Sequence, residues 1–209
     1  MTRDEWDAAL TERHGKALHE RFSAGCAAVC GLGGLGSNIA IHLARAGVGQ
    51  LRLFDFDTVD ISNLNRQQYF PDQLGMEKTA ALAQTLRRIA PYCKIIAQTV
   101  RLTPENIPVL LQGIPVICEA FDRADQKAML TETVLTQLPE ACLVAASGMA
   151  GLDSANAIRT RRILPRFYLC GDGQSDIADG MGLISARVAV CAAHQANMIL
   201  RLLAGESEP

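Results

Sequence analysis

Two stretches of this chain bring together residue types suited to a phosphate-bearing ligand. The first is Gly31-Leu-Gly-Gly-Leu-Gly36, in which Gly31, Gly33 and Gly36 fit the pattern G-x-G-x-x-G. Glycines let a backbone turn tightly and approach a phosphate closely. A helix starting there adds free N–H groups and the positive end of its dipole. The second runs Asp55-Phe-Asp-Thr-Val-Asp-Ile-Ser-Asn-Leu-Asn-Arg-Gln67. Asp55 follows the glycines by about 20 residues, where an acid binds ribose hydroxyls in dinucleotide sites. The glycines and Asp55 alone imply an adenine nucleotide, NAD included. The rest of the segment, with Asp57, Ser62, Asn63, Arg66 and Gln67, suits a triphosphate better. Arg66 can clamp two phosphate oxygens, and Lys78 adds a point charge.

These residues need elements to hold them. Ala27–Cys30 is a short apolar run before the glycines, and residues 37–46 have helical spacing that Gly47 stops. Residues 50–55 read as a second strand. Strand, glycine turn, helix, strand opens a doubly wound α/β sheet. The alternation continues with helices at 77–90, 104–112 and 124–135 and strands at 94–100, 115–120 and 141–146. Residues 147–184 read as irregular, with one strand at 166–170, and 186–203 as a long apolar helix. Residues 4–24 read as one or two short helices with Trp6, Leu10, Leu18 and Phe22 on one face. The expected fold is α/β, a Rossmann-like, mostly parallel sheet flanked by helices, with an N-terminal helical arm. The 209 residues suit one domain: arm 1–24, nucleotide-binding core 25–150 and C-terminal region 151–209. The tail 204–209 is expected to fray.

Bulk properties narrow the classes. The chain is 49% hydrophobic with a net charge of -2, so a large core is available and no basic field points to nucleic acid. No apolar stretch suits a signal peptide or a membrane span. A soluble, cytoplasmic protein is expected. The seven cysteines form no Cys-x-x-Cys pair, so no zinc is expected and most read as buried, reduced hydrophobes. His42 and His194, in apolar helices, read as satisfied core histidines.

The segments Gly-Leu-Gly-Gly-Leu-Gly, Asp-Phe-Asp-x-Val, Ser-Asn-Leu-x-Arg-Gln and Gly-x-x-Lys follow one another here. In that order and spacing they resemble the ThiF/MoeB/HesA family, adenylyltransferases related to ubiquitin-activating enzymes. The likeness is dense from Ala27 to Pro91 and looser over 115–150. It implies that Mg-ATP is bound and that a carrier protein's C-terminal carboxylate attacks the α-phosphate. By this resemblance Gly34 lies against the nucleotide and Asp55 binds the ribose. Ser62, Asn63, Arg66 and Lys78 contact the phosphates, with Asp57 and Gln67 in the same loop. Asp122 matches the aspartate that helps hold Mg²⁺. Arg13 stands where an arginine reaches into the partner's site of a homodimer, with Arg21 as the second candidate. The implied partner is a small ubiquitin-like sulfur carrier ending in Gly-Gly, in thiamine biosynthesis.

Departures from the family pattern matter too. Phe121-Asp122-Arg123 replaces the usual Thr-Asp-Asn, so Arg123 is a candidate phosphate contact. Cys170, beside Gly171-Asp-Gly-Gln-Ser-Asp176, is the best candidate for a covalent link, although a strand-end position favours a structural thiol. Asp172, Asp176 and Asp179 read as a solvated acidic loop. Three other readings stay open: adenylation of a tRNA-bound carboxylate, an NAD-dependent oxidoreductase, and an inactive interaction module.

Overall fold

The computed structural model describes residues 1–209, the side chain of Asp179 excepted. The sheet follows from its apolar runs. In β1 (Cys26–Cys30), every residue from Ala27 onward is buried, as a parallel strand covered on both faces requires. The other strands are β2 (Gln50–Asp55), β3 (Lys94–Thr99), β4 (Val116–Glu119), β5 (Cys142–Ala146), β6 (Arg159–Leu164) and β7 (Phe167–Gly171). They form one seven-stranded sheet in the order β3-β2-β1-β4-β5-β7-β6. All pairs are parallel except β6 with β7.

Helices bury both faces. On one side lie α3 (Gly34–Arg45), α4 (Lys78–Ile89) and α7 (Ser185–Leu203), closing a core that includes Val29, Ile39, Leu53, Leu82 and Ile199. On the other lie the short α5 (Ile107–Leu110) and α6 (Ala124–Gln137), over Cys30, Phe54, Ile117 and Leu143. Strand order reverses at β1, between β2 and β4. In such sheets ligands bind beyond the carboxyl ends of the strands at that reversal.

The N-terminal arm is two helices, α1 (Arg3–His14) and α2 (Lys16–Ala24). Thr2 and Glu5 start α1 with a reciprocal capping box. The arm meets the opposite end of the sheet from the strands' carboxyl ends. The Gly49 N–H donates to Phe22 O at 2.9 Å, and Leu10 packs so close to Gly47 that a Cβ there would sit 2.6 Å from its Cδ1.

Several expectations need correction. Leu18 is 41% exposed rather than on the apolar face, and buried His19 takes its place, bonded to Asp7 at 3.2 Å. His42 is exposed, not a core histidine. The helix read at 104–112 shrinks to Ile107–Leu110. β6 lies inside the segment read as irregular; its Arg-Thr-Arg-Arg run carries no apolar alternation because most of it faces solvent. The tail is docked, not frayed: the Tyr168 hydroxyl donates to Ser207 O at 2.8 Å and Arg162 pairs with Glu208 at 3.0 Å.

The turn from β1 to α3 is the tightest place in the chain. Gly31 has φ 91°, and a Cβ on Gly36 would lie 1.8 Å from Gly31 O. Gly33 has ordinary φ and no neighbour nearer than 3.8 Å to such a Cβ. Gly36→Ala should therefore cost about 3 kcal/mol or more in urea unfolding, while Gly33→Ala should stay within about 1 kcal/mol of wild type. A Gly36→Ala protein as stable as wild type would rule out this close approach.

Candidate active site

At the carboxyl ends of β1, β2, β4 and β5 lies a cavity of about 330 Å³. Its floor is the glycine turn. The Leu32 N–H donates to Asp55 Oδ2 at 2.6 Å, and the Asp57 N–H donates to Asp55 Oδ1 at 2.8 Å. Asp55 is thus fixed and buried, with its carboxylate at the cavity wall. The Tyr69 hydroxyl donates to Leu32 O at 2.8 Å and ties the following loop to the same turn.

That loop supplies the cations. Lys78 opens α4, is buried, and pairs with the more exposed Asp57 at 3.1 Å. Arg66 is half-buried at the cavity, donating to Asn65 Oδ1 at 2.7 Å and Ser62 O at 3.2 Å. Gln67 is buried there too, and its Oε1 has no hydrogen-bond partner. Asp122 and Arg123 line the cavity from the turn between β4 and α6. Both are exposed, and Arg123 is engaged by Asp125 through two hydrogen bonds of 2.9 and 3.1 Å.

The fold thus brings Gly31, Gly33, Gly34, Asp55, Asp57, Arg66, Gln67, Lys78, Asp122 and Arg123 to one cavity. It does not bring four other candidates there. Gly36 packs one turn into α3. Ser62 and Asn63 close a local turn with Asp60: the Ser62 hydroxyl donates to Asp60 Oδ1 at 2.6 Å and Asn63 Oδ1 accepts from the Asp60 N–H at 3.0 Å. Arg13 is exposed on the arm and does not line the cavity.

Two ion pairs at this end of the sheet, each with one buried and one partly buried residue, escaped the sequence reading. Glu119, only 1% exposed, meets Lys127 Nζ at 3.0 Å through both oxygens. Burial pushes the Glu119 carboxyl up, and Lys127 pulls it back. The second pair joins Arg187, on α7, to Asp172, in the loop read as solvated; both side chains are under a tenth exposed. Asp172 also accepts from the Gln174 and Ser175 N–H groups at 2.8 and 2.9 Å and from the Ser175 hydroxyl at 2.7 Å. The only sequence signal for either pair was an acid ending an apolar run and a basic residue inside an apolar helix.

Cys170 is fully buried against Thr160, and burial pushes its thiol up to about 11, so it is not poised as a nucleophile. His194, half-buried, is satisfied by Thr160 Oγ1 at 3.0 Å. The side chain of Asp179 lies outside the described residues.

Burial acts to raise the Asp172 carboxyl, but its four donors, Arg187 included, outweigh it and hold it down at about 2. A depressed carboxyl stabilises the fold above its unfolded pKa, and the gain is lost as pH falls through the folded value. Asp172→Asn, which leaves Arg187 buried without a counter-charge, should cost about 3 kcal/mol at neutral pH. That difference should shrink between about pH 4 and pH 2. Urea titrations of both proteins across this range check it; a difference independent of pH would contradict the ionised pair. Cys170 should resist iodoacetamide in the folded protein and react once urea unfolds it.

Comparison with known proteins adds the family. The model described as "ThiF family" matches residues 7–209. The chain is 36% identical over 123 residues to the adenylyltransferase and sulfurtransferase MOCS3 of Xenopus laevis, covering 58% of this chain and 27% of that protein. It is 44% identical over 85 residues to ubiquitin-like modifier-activating enzyme 5 of Arabidopsis thaliana, covering 41% and 20% respectively. The matched part thus spans about a quarter or less of these relatives. In fold it is similar to E. coli tRNA N6-threonylcarbamoyladenosine dehydratase, TcdA, solved with ATP, at a TM-score of 0.84 and 22% identity, over 94% of this chain and 92% of that one. E. coli MccB, solved with ATP, gives 0.69 and 19% over 92% and 60%. With a family model matched along almost its whole length and the glycine turn, Asp55 and the basic loop gathered at one cavity, the chain belongs to the ThiF family.

Proposed function

We propose that this chain is an ATP-dependent adenylyltransferase that activates the C-terminal glycine of a small ubiquitin-like sulfur carrier. One observation carries the reading: Arg66, Lys78 and Asp122 converge on the cavity that the glycine turn and Asp55 floor. In the reaction a carboxylate oxygen bonds to the α-phosphorus of ATP, the bond to the β-phosphate oxygen breaks, and pyrophosphate leaves with that electron pair. The residues present fit the nucleotide. Asp55 offers acceptors for ribose hydroxyls, and Gln67 Oε1 is a buried acceptor lacking a donor. Gly33 and Gly34 present backbone where a side chain would stand.

The chain's own groups divide the work. Lys78 is held by Asp57 in one salt bridge, so a phosphate can take the place of that carboxylate with little rearrangement. Arg66 and Lys78 then stabilise charge on the departing pyrophosphate. Among the described residues no three metal-ligating side chains cluster, so Mg²⁺ would be shared between Asp122 and phosphate oxygens, as is common for this ion. No general base is needed, because the carboxylate nucleophile is already ionised at neutral pH. Arg13 does not line its own chain's cavity; a role for it in the cavity of a second copy would require a homodimer.

The carrier reading draws support from relatives whose names specify sulfur transfer and ubiquitin-like modifiers. A thiamine-type carrier is the finer form of the proposal. A second reading, adenylation of a tRNA-borne carboxylate, is favoured by β6. There Arg159 and Arg161 are both basic and largely exposed on the sheet edge, and the tRNA-modifying TcdA has the same fold.

ATP–pyrophosphate exchange tests the proposal. A Gly-Gly-ended carrier should support exchange, and Asp122→Ala should lower it by roughly 100-fold or more. ATP with Mg²⁺, and not NAD, should raise Tm. ATP binding without exchange for any such carrier, but with exchange for tRNA, would replace the first reading by the second.

A further inference from the structure

The ladder between β4 and β5 stops short of the cavity. Its register pairs Val116 with Cys142, Ile117 with Leu143 and Cys118 with Val144, and goes no further. Beyond it, Glu119 stays with β1, opposite Cys30, while β5 continues to Ala146 beside β7. No ladder joins the two strands beyond this point, and the segments that follow both line the cavity. Two side chains link the strands instead. Lys127 Nζ, from the first turns of α6, donates to both Glu119 oxygens at 3.0 Å and to Ala146 O at 3.1 Å. Gln195 Nε2, from α7, donates to Glu119 O at 2.9 Å and to Val144 O on β5 at 3.4 Å.

The same pair encloses the turn that carries Asp122. Glu119 Oε1 accepts from the Phe121 N–H at 2.7 Å, and the Lys127 N–H donates to Arg123 O at 3.0 Å. On the other side, Ala146 leads directly into Ser147, whose backbone is tied to Cys170 O and to the Gly173 N–H. One ammonium group therefore joins the turn at 120–126 to the loop at 147–150, and both line the cavity.

We propose that the Glu119–Lys127 pair is a positioning device, fixing the Asp122 turn and the Ser147 loop against each other where the ladder has ended. Stability alone does not call for such a pair, since buried ion pairs are often matched or bettered by apolar residues of the same shape. A salt bridge with a third, backbone acceptor does what an apolar contact cannot: it sets the distance and direction between two segments that no ladder connects. Lys127 borders the cavity, but its ammonium is engaged by Glu119 and Ala146 O, so its role here is to position Asp122. The structural part stands on geometry alone; the kinetic part rests on the adenylation reading above.

The test compares wild type with Lys127→Met, Lys127→Arg and the double variant Glu119→Gln/Lys127→Met, in the full-length chain. Hydrogen–deuterium exchange in Lys127→Met should rise about 10-fold or more in 120–126 and 147–150 together, with 31–36 unchanged. For ATP–pyrophosphate exchange, kcat should fall by about 10- to 100-fold while KM for ATP stays within about 3-fold. The double variant, with no charge left buried, should regain Tm but not kcat, and Lys127→Arg should regain part of kcat. The proposal is overturned if only one segment or neither loosens, or if the double variant recovers kcat along with Tm. Should wild type show no exchange activity with any substrate, the adenylation reading fails and the hydrogen-exchange result alone decides the coupling.

Discussion

Helix α3 can begin where it does only because its backbone passes within contact of the strand it leaves. The carbonyl of Gly31 occupies the space a side chain at position 36 would need. Gly31 in turn lies against the backbone of Ala120, where a Cβ would be 2.7 Å from the carbonyl oxygen. Strand β1, helix α3 and the end of β4 are thus locked together by the lack of two methyl groups. From this contact the rest of the site follows. The turn aims the Leu32 N–H at Asp55, Asp55 holds the backbone of Asp57, and Asp57 holds Lys78 by carbonyl and carboxylate alike.

Around that frame, charge is placed where burial makes it directional. Lys78, Glu119, Arg187 and Asp55 are each under a tenth exposed. Each also has backbone partners or an opposite charge, as removal from water demands, although the Arg187 Nε itself has no partner. The Arg187–Asp172 pair shapes the C-terminal loop. Asp172 collects donors from Gln174 and Ser175, while the Arg187 Nη1 donates to the carbonyls of Asp153 and Ser154. Without it the stretch 151–157, none of whose residues is buried, would have little to hold it.

The sheet's core was readable because parallel strands buried on both faces are written as plain apolar runs, such as Ala27–Cys30 and Val116–Cys118. The glycine turn was readable because its residues answer a backbone need that no other type meets. Ser62 and Asn63 show the limit. Their types suit a phosphate and equally suit a tight turn, and in the fold they close a turn with Asp60. Glu119 with Lys127, and Asp172 with Arg187, lie 8 and 15 positions apart, and no local period brings such partners together. β6 was hidden for a different reason. A strand that pairs on one side and meets solvent over most of its surface needs no hydrophobic pattern, so its sequence resembles a polar loop.

That same strand bears on how copies of this protein can meet. A sheet with free edges invites another strand to add to it, and long, flat, apolar edges do so most readily. Here one edge ends in β6, with Arg159, Arg161 and Arg162 in close succession and a break in register between Arg162 and Leu164. A second copy laid edge to edge would set like charges side by side and find the ladder interrupted. Growth into fibrils or open-ended stacks through this edge is thereby disfavoured, and association of copies is turned toward other surfaces of the molecule.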